Sequence, residues 1–230
     1  MRYFYILTLS TLVFFSCKKD TAVNSLTSSN YSYFPLEEGS WIIYNVDSVV
    51  HLSNDDGTNQ PDTSIASYHF QIKEVVDFDF IDGQGNKAYR VSRYKRQNDT
   101  LPWDFLVVWI SLRTSGSAQR VEENVRYIKL SFPINQKSMW NGNAYNDQLQ
   151  EDYSYSEIHI PSTFGNNRFD STVTVLQLDD DNLIHRVFKQ EKYANHVGLV
   201  YKEKDSLNIN SIGQVTNGFE FRETIQSYSH

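Results

Sequence analysis

From Tyr31 onward, aromatic and β-branched side chains fall on one parity of the chain and polar or charged ones on the other, which restricts the fold to sheet. Tyr68, Phe70 and Ile72 share one face of such a segment, as do Tyr89 with Val91, Ile128 with Leu130 and Phe132, Val173 with Val175, and Phe219 with Phe221. Turn-forming clusters separate the runs: Asn54-Asp55-Asp56-Gly57, Asp82-Gly83-Gln84-Gly85-Asn86, Thr114-Ser115-Gly116-Ser117, Phe164-Gly165-Asn166-Asn167 and Asp179-Asp180-Asp181-Asn182. The pattern predicts ten strands, at 41–52, 65–78, 87–97, 104–113, 119–132, 152–160, 169–178, 183–194, 197–206 and 218–228. Parallel pairing would need long crossover connections between them, and none is present. The expected fold class is therefore all-β, a large curved antiparallel meander or half-barrel, with residues 31–230 forming a single domain.

The first residues belong to a different regime. Arg2 is followed by an apolar run from Phe4 to Phe15, too short to span a bilayer comfortably, then Ser16 and Cys17, the only cysteine of the chain. This reads as an export signal over residues 1–16. One cysteine excludes an intramolecular disulfide, so the exported domain depends on its core alone. Residues 20–30 are small and polar and bury too little surface to fold, which makes residues 17–30 a flexible tether.

The segment around Cys17 resembles the bacterial lipoprotein signal, with Ser16 at the small position before the cut and Phe14 where leucine is usual. The resemblance implies that Cys17 is the acylated first residue and the membrane anchor. Lys18, Lys19 and Asp20 resemble the charged tag of Bacteroidetes lipoproteins sent to the cell surface, which implies an outer-membrane location, with the periplasmic leaflet as the alternative. The stretch Phe34-Pro35-Leu36 with Gly39, Trp41 and Tyr44 resembles the opening of a group of uncharacterised Bacteroidetes lipoproteins. Tyr193-Ala194-Asn195-His196-Val197-Gly198-Leu199-Val200-Tyr201 resembles their near-terminal hairpin, and Phe132-Pro133-Ile134 with Trp140-Asn141-Gly142 a mid-domain element. That group implies a sheet wrapping toward a half-barrel and no activity. The same residues have a structural reading: Pro35 suits the approach to a first strand, Gly39 a tight turn, and Gly198 a bulge or close backbone approach.

Functional signals are sparse. Net charge is −7, which argues against nucleic acid or anionic lipid as a partner. No nucleophile elbow, phosphate loop or His-Glu-x-x-His occurs, and the six histidines are scattered without metal-ligand spacing, so no metal or other cofactor is expected. Asp77, Asp79 and Asp82, and Asp179 to Asp181, read as solvated turns in preference to calcium loops. Asp20-Thr21-Ala22 resembles the O-glycosylation acceptor of exported Bacteroidetes proteins. With 15 tyrosines and 14 phenylalanines, the aromatic load either fills a concave interior or lines a ligand groove.

Residues 133–151 break the alternation and are rich in Asn and Gln, which marks a lid, a binding loop or an insertion. Trp140, Asn141, Asn143 and Tyr145 are its candidate ligand contacts, since they combine large amphipathic rings with amides. The expected role is a non-enzymatic, lipid-anchored envelope protein that binds a ligand, a glycan or a protein. The alternative is a glycan hydrolase using acids from distant strands.

Overall fold

The computed structural model describes residues 30–54 and 62–229. Cys17, Thr21 and the turn at 55–57 lie outside the described residues. Twelve antiparallel strands form one sheet: β1 (Trp41–Asn54), β2 (Asp62–Ile81), β3 (Lys87–Arg96), β4 (Asp104–Arg113), β5 (Ser117–Glu122), β6 (Val125–Ser131), β7 (Met139–Asn141), β8 (Asp152–Phe164), β9 (Asn167–Asp181), β10 (His185–Ala194), β11 (Gly198–Ile209) and β12 (Val215–Ser229). The spatial order is β6-β5-β4-β3-β2-β1-β12-β11-β10-β9-β8-β7, so every neighbour but one pair is sequential and β1 closes on β12.

Two expectations need correction. Residues 119–132 are not one strand but the hairpin β5–β6, whose two-residue turn is Glu123-Asn124, both at positive φ (49° and 66°). That is the twist a two-residue hairpin needs, reached without the glycine that usually signals it. The segment 133–151 is also not strand-free, because β7 pairs Trp140 with Tyr153.

The sheet curls until its edges β6 and β7 meet, and side chains lace the seam. Ile128 N–H donates to Gly142 O (2.9 Å). Trp140 Nε1 donates to Ile128 O (3.0 Å), and Asn146 Nδ2 to Arg126 O (2.8 Å). The Tyr155 hydroxyl donates to Ser131 O (2.7 Å) and accepts from Ser131 N (3.0 Å). The result is a nearly closed barrel, in which the exposed edges of an open sheet are satisfied by each other.

Residues 30–36 plug one end of this barrel. Phe34 and Leu36 are buried, and Tyr33 is 2% exposed with its hydroxyl 2.6 Å from both His159 Nδ1 and Ser171 Oγ. Arg113 Nη1 donates to the carbonyls of Tyr31 and Phe34 (both 3.0 Å), and His196 N–H donates to Ser32 O (2.8 Å). Gly198, at φ +99°, has Pro35 Cδ 3.5 Å from where a side chain would start. The Phe34-Pro35-Leu36 and Val197-Gly198-Leu199 segments thus pack on one another, the close approach that Gly198 signals in the sequence. Buried Tyr33, Tyr44, Tyr153, Tyr155, Tyr193, Phe34, Phe132 and Phe169 show where much of the aromatic content goes, into the core.

Candidate functional site: the open mouth of the barrel

Strand register stacks the interior into levels. Near the plug, Tyr44 lies beside Ile72 on β2 and Ile225 on β12, and its hydroxyl donates to Leu199 O (3.1 Å). Charge packs directly against this hydrocarbon, with Glu74 on β2 opposite Ile42 and Glu223 on β12 opposite Val46. Arg93 lies 2.9 Å from Glu74 and 3.0 Å from Glu223 and stacks 3.7 Å over the Trp109 ring, while Arg120 Nη1 donates to Glu74 (3.1 Å). Beside this group, Lys129 Nζ lies 2.7 Å from Glu122 and 3.0 Å from Glu191, with Lys202 3.7 Å from each of those carboxylates. The Tyr193 hydroxyl donates to Glu191 Oε2 (2.6 Å).

Above the second charge cluster the interior opens into a pocket of about 220 Å³, lined by Glu122, Tyr127, Lys129, Gln148, Glu151, Tyr153, Gln177, Lys189, Glu191, Lys202 and Lys204. Its rim is tied by Lys189 Nζ to Glu151 Oε1 (2.6 Å) and by Gln148 Nε2 to the Tyr127 hydroxyl (3.2 Å). Lys204 on β11 stands directly opposite Lys189 on β10, and its ammonium sits 5.3 Å from the Phe219 ring centre.

Two of the lining residues sit at β-bulges. On β6, Ile128 pairs with Gln119 and Leu130 with Ala118, leaving Lys129 as the extra residue. On β9, Leu176 pairs with Gln190 and Leu178 with Lys189, leaving Gln177 extra. The β6 bulge breaks the strict alternation and brings Lys129 to the pocket's lining, whereas Gln177 keeps the inward parity of Val173 and Val175.

The electrostatics follow from this packing. Burial alone would raise the carboxyls of Glu122 and Glu191, but Lys129 and Lys202 outweigh it and hold both below the usual carboxylate range. The Lys204 ammonium is pulled below the ordinary lysine value, first by partial desolvation and then by Lys189 and Lys202. The pocket therefore presents ionised, mutually neutralised groups on its floor and a cationic wall.

The four residues singled out in the sequence lie at the seam below this rim. Trp140 is half-buried, its ring 4.9 Å from that of Tyr155 and its N–H committed to Ile128. Asn141 Oδ1 accepts from the amides of Asn143 (2.9 Å) and Glu151 (3.2 Å), and Asn143 Nδ2 donates to Leu149 O (2.6 Å). Tyr145 is 59% exposed on the loop. The same loop does reach the pocket, through Gln148 and Glu151. Sequence reasoning missed Lys129, Gln177 and Lys204, because nothing in the local pattern announces the bulge at the first or shows that the faces of the other two open into a pocket.

Two other features lie outside the mouth. A depression of about 410 Å³ near the plugged end is lined by Arg168, Asp170, Ser171, Asn195 and His196 among others, with Arg168 and Asp170 almost fully exposed. Next to it, Ser171 Oγ lies 3.3 Å from His159 Nδ1, but the Tyr33 hydroxyl reaches both more closely, and the hydrogen-bond partners of His159 among the described residues are hydroxyls. A histidine serving as general base is ordinarily oriented by a carboxylate, which His159 does not have there. Among the described residues the acidic turns engage the protein itself: Asp82 caps the amides of Gln84 (2.9 Å) and Asn86 (2.8 Å), and Asp180 meets His185 (2.8 Å).

No family model matches the chain, and no curated protein matches it. A crystal structure described as a "putative lipoprotein" from Parabacteroides distasonis aligns with 86% of this chain and 98% of its own length, at 10% sequence identity and a TM-score of 0.41. Similarity at that level carries no argument about the role of either protein.

Proposed function

We propose that this chain is an envelope protein, anchored through lipid on Cys17, that binds a small polar ligand at the open mouth of its barrel and catalyses no reaction. The observation that carries the reading is the asymmetry of the interior: one end is filled by residues 30–36, and the other keeps a charge-lined pocket of about 220 Å³. An apolar cavity of about 150 Å³ accommodates benzene, so this volume suits a molecule the size of a monosaccharide. The anchor and an outer-membrane, surface-exposed location rest on the resemblance around Cys17 and Lys18-Lys19-Asp20.

The hydrolytic alternative is less well supported. Glycoside hydrolysis needs one carboxyl kept protonated near neutral pH, and that requires a raised pKa. Glu122 and Glu191 are shifted the other way by their lysines. Glu223 is raised by burial, yet it is committed to Arg93 and does not line the pocket.

The test is a thermal-shift screen of sugars and small metabolites on the full chain in mild detergent, repeated on Gln148→Trp, which fills the rim. A saturable stabilisation that disappears in the variant supports the reading. Silence across the panel, or hits indifferent to the variant, contradicts it.

A further inference from the structure

We propose that the ligand carries a single carboxylate, received between the Lys204 ammonium and the Gln177 side-chain amide, on a body of monosaccharide size such as a hexuronate. This inference rests on the reading of the mouth pocket as a binding site and adds the chemistry of what enters it.

Gln177 supplies the first argument. It is 8% exposed, lines the pocket, and its Nε2 has no hydrogen-bond partner among the described residues. Buried side-chain donors in folded proteins are nearly always satisfied, so an orphan beside a cavity points to an acceptor that arrives from outside. Gln177 continues the inward-facing row of Val173 and Val175 on β9, at the point where that row passes from packed core into the pocket.

Charge supplies the second, independent argument. The lining holds four lysines and three glutamates. Lys129 lies against Glu122 and Glu191, Lys202 stands 3.7 Å from both, and Lys189 is paired with Glu151. Lys204 has no ion pair among the described residues, and it directly faces Lys189 across the ladder. Like charges placed opposite one another on a sheet are destabilising unless something intervenes. One uncompensated cation asks for one negative charge, which favours a carboxylate over a phosphate dianion. The Lys204 ammonium is lowered first by partial desolvation and then by Lys189 and Lys202, with Glu151 and Glu122 opposing the shift.

Lys204 and Gln177 Nε2 offer donors only, whereas Tyr127, Gln148 and Tyr153 can exchange hydrogen bonds with hydroxyls. An acidic sugar meets both requirements.

Isothermal titration of the full chain in mild detergent with glucuronate, galacturonate, glucose and inorganic phosphate tests this, on wild type, Lys204→Met and Gln177→Leu. Expected are hexuronate binding about tenfold or more tighter than glucose, a loss of about tenfold in Lys204→Met, and a smaller loss in Gln177→Leu. Gln177→Leu should melt no lower than wild type, because it removes an unsatisfied donor. Equal binding of glucose and hexuronates, untouched by Lys204→Met, overturns the carboxylate while leaving the pocket reading intact. Phosphate binding tighter than either hexuronate overturns the single-charge argument. No binding of any probe overturns the proposal, and the metabolite screen then decides the pocket separately.

Discussion

Lys129 on β6 and Glu191 on β10 meet at 3.0 Å inside the barrel, although 62 residues separate them and three strands, β9, β8 and β7, lie between β10 and the seam with β6. Their contact spans the lumen and does not follow the sheet. Both are almost fully buried, at 5% and 1% exposure. The pair therefore links opposite walls and forms the floor on which the pocket stands.

Removing one partner of a buried ion pair leaves the other charged and unsolvated, which costs about 3–5 kcal/mol. Lys129→Met leaves Glu191 and Glu122 with only the more distant Lys202. Chemical denaturation should register a loss of that order. A change below about 1 kcal/mol would mean that water already solvates this floor.

Stability should fall in acid, and the sign follows from the shifts. Glu122 and Glu191 have folded pKa values below the ordinary 4.5, so their contribution is complete above that value and is lost as pH falls through the lower folded one. Glu223 is raised by burial and acts oppositely, favouring the folded state at low pH. With two groups against one, the denaturation midpoint should drop from about pH 5 downward. Lys129→Met should flatten that drop, because the lysine is the largest favourable cause of both depressions. An equally steep profile in the variant would assign the acid loss to other groups.

Trp140 closes the seam between β6 and β7, so its truncation acts on folding as well as on any ligand. Trp140→Ala should cost about 3 kcal/mol, and Trp140→Phe roughly half as much, since it keeps a ring against Tyr155 but loses the bond to Ile128. Thermal denaturation of both variants distinguishes this from a purely ligand-contacting residue, whose replacement would leave the melting temperature where it was.

Gly198 faces Pro35 of the plug. At φ +99°, a side chain is strained whatever the space, and a Cβ would lie in ordinary contact with Pro35 Cδ at 3.5 Å, so the cost is one of backbone conformation. Gly198→Ala should destabilise by about 1–3 kcal/mol and loosen residues 30–36, seen as faster amide exchange at Phe34 and Leu36. Unchanged exchange there would separate the glycine from the plug.

The sheet was legible because alternation at Tyr68, Phe70 and Ile72 or at Val173 and Val175 reports a buried face directly, and consecutive hairpins leave antiparallel pairing as the simple outcome. Phe34, Leu36 and Gly198 were legible as structural residues for the same local reasons. The β5–β6 hairpin escaped because Glu123-Asn124 adopts a left-handed turn with no glycine to mark it. Barrel closure depends on Ile128 meeting Trp140 and Gly142, residues paired by curvature and not by pattern. The loop at 133–151, singled out in the sequence through Trp140, Asn141, Asn143 and Tyr145, reaches the pocket through Gln148 and Glu151 instead. Lys129 sits at a bulge, where parity is reversed, so a period-two reading through Ile128, Leu130 and Phe132 sends its side chain to the wrong face. Gln177 continues the inward parity of Val173 and Val175, and nothing in the pattern shows that this face opens into a pocket. Lys204 alternates correctly, yet a lone lysine on a strand gives no sign that its face is the inside of a barrel.

The most direct test of the mouth as the binding surface is an amide chemical-shift map of the full chain titrated with glucuronate. The expected perturbations cluster at Gln177, Lys189, Glu191, Lys202 and Lys204, with Gln148 at the rim and the plug at Tyr33 and His159 silent. Saturable shifts confined to the plugged end, or to the outer surface around Tyr145, would contradict it.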